Sequence, residues 1–180
     1  EEISVEVEFK YNDNTDGIVI GKMNGGGFNE SSFYIGMNPG IEDGFGRVRW
    51  SVHPELYTDD YFDSETILNQ EQYYKLLCTY DGQVMRMYIN GILDTEYYPV
   101  EDGPLATNDI PVVLGKKYDN DMAPAYFSGS IKSVRIWNTA VTINSINDYN
   151  ESIIAYWRML SGDGDTIYDS SNNENEGTIY

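Results

Sequence analysis

Short runs of alternating apolar and polar residues, punctuated by Gly, Asn, Asp and Pro, recur along this chain and leave little room for helix. In the first run Ile3, Val5, Val7 and Phe9 share one face while Ser4, Glu6, Glu8 and Lys10 share the other, the period of a half-buried strand. Asn12 to Gly17 has turn chemistry. Further strands are expected at Ile18–Lys22, Phe33–Met37, Phe45–Val52, Tyr73–Tyr80, Val84–Ile89, Ile92–Tyr98, Pro111–Gly115 and Ile153–Leu160. Ala125–Trp137 reads as two strands or one bent at Gly129. Asp81-Gly82 and Asn90-Gly91 are hairpin signals. Residues 53–72 read as a long acidic loop with a helical turn near Ile67–Gln72, and Thr142–Asp148 as one short helix. Strands spaced this evenly predict an all-β fold, an antiparallel two-sheet sandwich.

Length and charge narrow the functional classes. A chain of 180 residues fits one large sandwich, so a single domain over 1–180 is expected. Thirty acidic against 11 basic residues give a net charge of −19. Such a surface repels nucleic-acid phosphates and anionic membranes and suits hard cations such as Ca²⁺. No apolar run is long enough to span a bilayer, so no membrane insertion is expected. Cys78, the single cysteine, sits in an apolar run and reads as a buried, inert thiol.

The segment from Tyr80 to Asn138 carries a more specific signal. Tyr80-Asp81-Gly82 is followed by Tyr88-Ile89-Asn90-Gly91, then Gly115, then Phe127-Ser128-Gly129-Ser130-Ile131, then Val134-Arg135-Ile136-Trp137-Asn138. In this order the pieces resemble the concanavalin A-like superfamily in its laminin-G-like, pentraxin-like branch. The resemblance implies a jelly roll and a binding module. The tail resembles a bacterial motif of the same superfamily, through Ala155-Tyr156-Trp157, Gly162-Asp163-Gly164-Asp165 and Tyr168-Asp169-Ser170-Ser171-Asn172. That motif usually opens a unit. Either the tail starts a following repeat or it returns to the same sandwich; the second reading is favoured for Ile153–Leu160, because Trp157 needs a partner strand. Both readings leave room for a longer multidomain parent.

The resemblance also implies a Ca²⁺ site at the rim, with one carboxylate after the Gly-x-Ile element. Lys132 occupies that position, and an ammonium cannot ligate a metal. Lys132 is therefore a candidate built-in cation that replaces the ion between acidic loops. Other oxygen-rich clusters are candidates for Ca²⁺: Asp119 and Asp121 with Asn120; Asp163, Asp165 and Asp169; Asp13 with Asp16; and Asp59, Asp60 and Asp63. None has EF-hand spacing, and Asp and Asn in loops are commonly turn formers.

A sugar packs its C–H face on an exposed ring while polar groups read its hydroxyls. Tyr118 beside Asp119, Asn120 and Asp121 is the first candidate, and Tyr57 and Tyr61 near Asp59, Asp60 and His53 the second. Arg47, Arg49 and Arg86 form a cationic patch if their strands are neighbours, with pairing to acidic residues across strands the preferred alternative. Catalysis is not expected: no Glu-x-Asp-x-x-Glu pattern places two acids across a glycosidic bond, and Glu6 with Glu8 has no partner motif. The function the resemblance implies is non-catalytic binding outside the cell, most of all of a glycan or glycoprotein, at a cell or virion surface and beside neighbouring domains. The alternatives are a structural module in a filament, fibre or virion and, third, a glycoside hydrolase or lyase.

Overall fold

A computed structural model describes residues 2–23, 31–37, 45–54, 60–100, 103–116, 126–148, 150–163 and 165–179. The strands are β1 (Ile3–Tyr11), β2 (Gly17–Lys22), β3 (Phe33–Met37), β4 (Val48–Val52), β5 (Asp60–Asp63), β6 (Tyr74–Tyr80) and β7 (Met85–Ile89). They continue with β8 (Ile92–Tyr97), β9 (Val113–Leu114), β10 (Gly129–Trp137), β11 (Ile153–Asp163), β12 (Thr166–Asp169) and β13 (Gly177–Thr178). One sheet has eight strands in the order β13-β12-β11-β10-β1-β6-β7-β8, and the other has five in the order β5-β4-β3-β2-β9. All paired strands run antiparallel. This is the expected all-β jelly-roll sandwich.

The alternation in β1 is what closes the sandwich. Val5, Val7 and Phe9 are fully buried and meet Ile20, Ile35, Trp50 and Met87 in one core. Burying each such side chain stabilises the fold by about 1.5–3 kcal/mol relative to exposure. A smaller cluster forms on the other side of the eight-stranded sheet. There Leu77, Trp137 and Val141 are covered with help from Ile143, Ile146 and Ile153. The covering piece is a 3-10 turn, Ile143–Asp148, where a short helix was expected. Cys78 is buried as anticipated, and burial pushes its thiol pKa well up.

Several local expectations are corrected. Asp60–Asp63 is a strand, not loop: it pairs with β4, with Phe62 inward and Tyr61 outward. No helix forms near Ile67–Gln72; Leu68 is buried and Glu71 turns the chain with φ 60°. β4 begins at Val48, and Phe45-Gly46 is a turn. Asn90-Gly91 makes the expected two-residue hairpin, with φ of 51° and 85° and Ile89 opposite Ile92. The Asp81-Gly82 connection is longer, because Tyr80 pairs with Met85, and the Asp81 carboxylate accepts from the Gln83 and Val84 amides. β10 is one strand with a bulge: Glu8 faces Ser133 and Phe9 faces Ile131, so Lys132 is the extra residue. Gly129 lies so close to β1 that a Cβ would sit 2.2 Å from the Lys10 carbonyl oxygen.

The tail returns to the same sheet. β11 pairs with β10, β12 with β11 and β13 with β12. Trp157 packs against the main core, and its indole N–H donates to the Asn175 carbonyl at 2.6 Å.

Candidate functional site

The two outward sheet faces differ in what they leave available. On the eight-stranded sheet, one part is closed by the Trp137 cluster and another by ion pairs. Lys132 pairs with Glu8 at 2.5 Å, Lys10 with Glu71 at 2.5 Å and Arg135 with Glu6 at 3.4 Å. Lys132 thus bridges its bulge to the neighbouring strand and lies 5.7 Å from the centre of the Tyr73 ring. Glu8 holds its ammonium pKa above the usual lysine value by hydrogen bond and charge. Glu6 and Glu8, the only same-face acids considered for catalysis, are both engaged with cations.

The five-stranded sheet presents a different surface. Its inward residues are Phe33, Ile35 and Met37 of β3, Val48, Trp50 and Val52 of β4, and Phe62 of β5. Alternation therefore sends Tyr34, Arg49, Ser51, Tyr61 and Asp63 outward. Register brings them together: Tyr34 lies opposite Ser51, which lies opposite Tyr61, while Gly36, Arg49 and Asp63 form the next row. The Arg49 guanidinium binds Asp63 through two parallel hydrogen bonds, Nε to Oδ1 at 2.7 Å and Nη2 to Oδ2 at 2.9 Å. It lies 4.0 Å from the centre of the Tyr61 ring, and Tyr34 is near enough to favour its charge. Burial opposes the Arg49 charge, but Asp63 and Tyr34 outweigh it and raise the pKa further above the arginine range.

The result is a braced aromatic platform. Tyr61 is 46% exposed, and its ring is fixed from one side by the guanidinium. Ser51 is fully buried between the two tyrosine positions, and its hydroxyl has no hydrogen-bond partner among the described residues. Buried polar groups without partners are uncommon and call for an explanation such as water or ligand. Arg47, just before that strand, donates to the Ser64 and Glu65 carbonyls.

The expected residues distribute unevenly. Tyr61 joins this platform. Tyr57, Tyr118, Asp119, Asn120 and Asp121 lie outside the described residues, as does Asp59. Asp60 points inward and is 4% exposed, so it does not share a face with Asp63. Asp163 ends β11 opposite Thr166. Asp165 and Asp169 are kept roughly 13 Å apart along the chain by β12. Both Asp169 oxygens are occupied: Oδ1 accepts from the Tyr156 and Ser171 amides, and Oδ2 from the Ser171 hydroxyl and the Asn175 amide. Among the described residues no three His, Cys, Asp or Glu side chains converge to hold a metal. Arg86 belongs to the other sheet, where Asp81 and Glu96 pair with it, so no joint patch with Arg49 exists and the cross-strand pairing alternative describes both. In sequence Arg49 belongs to one candidate patch and Asp63 to another; only the β4–β5 register joins them to Tyr61.

A family model described as the concanavalin A-like lectin/glucanases superfamily matches residues 1–147. No curated protein sequence matches the chain. Among solved structures, a candidate carbohydrate-binding protein from Bacteroides ovatus aligns with a TM-score of 0.73 at 16% identity, over 99% of this chain and 54% of that one. The chain thus spans about half the length of that protein. A heptameric SAP-like pentraxin from Limulus polyphemus aligns with a TM-score of 0.60 at 17% identity, over 80% of this chain and 67% of that one. The CBM40 module of a Ruminococcus gnavus sialidase, solved with α2,3-sialyllactose, gives 0.62 at 14% identity, over 83% of this chain and 80% of that one. At these identities the structures share the fold. Among the described residues, no helix is long and apolar enough to cross a membrane.

Proposed function

Because the chain belongs to the concanavalin A-like lectin/glucanases superfamily, we propose that it is a non-catalytic carbohydrate-binding module whose ligand lies on the outer face of the five-stranded sheet. The observation that carries this reading is Tyr61: an exposed ring held by Arg49, which is itself bound by Asp63. A sugar ring packs on the tyrosine, and its hydroxyls meet fixed donors and acceptors, so little side-chain freedom is lost on binding. The carbohydrate-binding neighbours support the same class. An extracellular or surface setting, glycans or glycoproteins as partners, and calcium assistance from Asp119 and Asp121 belong to this proposal.

The test is a glycan array followed by calorimetry on the best ligand, with the wild type and Tyr61→Ala. Tyr61 is half in solvent, so the variant is expected to fold. Its affinity should fall roughly tenfold or more, the scale of a truncated aromatic anchor. Unchanged affinity removes the site from this face, and a folded wild type that binds no glycan removes the reading.

A second reading, a structural interaction module, has one observation in its favour. The edge strand β8 and its continuation expose Ile92 at 73%, Leu93 at 49% and Val100 at 82%. Loss of self-association or neighbour binding on replacing these residues with polar ones, with no glycan binding at all, would favour it.

A further inference from the structure

We propose that the platform reads an uncharged vicinal diol, so that the ligand class is a neutral sugar and not a carboxylate- or sulfate-bearing one. This rests on the carbohydrate-binding reading above and names its ligand class. Arg49 is the residue that would attract an acidic glycan, but it already holds a counter-ion. Two of its nitrogens are bound to the two Asp63 oxygens. The pair is only partly exposed, 23% for the Arg49 side chain and 31% for Asp63, so the partners hold each other in a region of reduced screening.

What this pair offers a ligand is alternation. A carboxylate accepts only, and a guanidinium donates only. A ligand carboxylate or sulfate also accepts only; it finds Asp63 repulsive and the Arg49 charge cancelled. A hydroxyl both donates and accepts. Two adjacent sugar hydroxyls can therefore satisfy Asp63 on one side and Arg49 or a tyrosine hydroxyl on the other. Arg47, the guanidinium just before this strand, is engaged by the Ser64 and Glu65 carbonyls beyond Asp63. The net charge of −19 adds a long-range field that disfavours anionic ligands.

The experiment is an array of matched pairs: neutral oligosaccharides and their sialylated, sulfated and uronate-bearing counterparts, probed at low and high salt. The wild type is expected to bind neutral members, with little salt dependence, and to lose at least about tenfold when an acidic group replaces a contacting hydroxyl. Asp63→Asn, checked for folding by circular dichroism and thermal melting, should shift the acidic-to-neutral ratio upward by about tenfold, because Arg49 is left without its counter-ion. Preference of the wild type for acidic members, weakened by salt, overturns the neutral-diol assignment while leaving the carbohydrate reading intact. Absence of binding to every glycan removes that reading and the assignment with it. The wild-type ratio decides the matter even where Asp63→Asn fails to fold.

Discussion

Replacing Asp169 with alanine should release the tail from the sandwich without unfolding the rest. The Asp169 carboxylate both fastens β12 and shapes the turn after it: it accepts from the Tyr156 amide of β11 at 2.8 Å and, within the tail, from the Ser171 amide at 2.8 Å, the Ser171 hydroxyl at 2.7 Å and the Asn175 amide at 3.1 Å. Burial opposes its charge, but these donors outweigh burial and hold its pKa below the usual aspartate value. A net contribution of about 0.5–1 kcal/mol per hydrogen bond, reduced from the charged-group range because water reaches the site, gives roughly 2–4 kcal/mol for all of them. β12 and β13 have short ladders and little buried apolar area, so the loss should appear as local opening. Hydrogen exchange is the direct assay. Amides of Thr166–Asp169 and Gly177–Thr178 should lose protection by roughly 30- to 1,000-fold, while those of β1 and β6 keep theirs. If the tail amides keep wild-type protection, the carboxylate is not what holds β12 to β11. If β1 loses as much as β12, the tail is not a separate cooperative unit.

Two further predictions concern acid and calcium. Asp81, Asp94 and Asp169 all have depressed pKa values; burial opposes the shift, and hydrogen bonds from Arg86, Thr66 and Ser171 with nearby amides prevail. A depressed folded pKa contributes stability that is full above the unfolded value near 3.8 and is lost as pH falls through the folded value. The melting temperature should therefore drop as pH falls below about 4, and Asp81→Asn should shrink that drop; an acid limb identical in wild type and variant refutes the assignment. For calcium, a rise in melting temperature after EDTA treatment and Ca²⁺ addition should survive Asp165→Asn and disappear in Asp119→Asn or Asp121→Asn. Retention in all of these variants refutes a site at those residues.

The parts of the fold legible in the sequence are those with local causes. The β6–β7–β8 meander follows from its turns, and Asn90-Gly91 adopts the positive φ values that its chemistry permits. β1 follows from a clean period of two. β5 escaped because its pattern is only four residues long and carries an aspartate at an inward position, so its polarity resembles that of the loop before it. The tail was readable as strand at Ile153–Leu160, but its attachment depends on side chains such as Asp169, Asn173 and Asn175 that meet β11 only once the chain has turned back.

The platform has the same difficulty in a sharper form. Arg49 to Tyr61 is a non-local pair joined across two strands, and whether the guanidinium meets that ring, Asp63 or nothing depends on register. A one-residue slip of β5 would bury Tyr61 and Asp63 and expose Phe62. Phe62 is therefore the residue that sets which side chains of β5 face outward: its burial against β4 and its contact with Tyr97 in the facing sheet fix the parity of the strand. Sequence patterning identified Arg49 as exposed and Tyr61 as a ring available for stacking. The energetic preference for Phe62 over its charged and hydroxylated neighbours in the core is what places the two together.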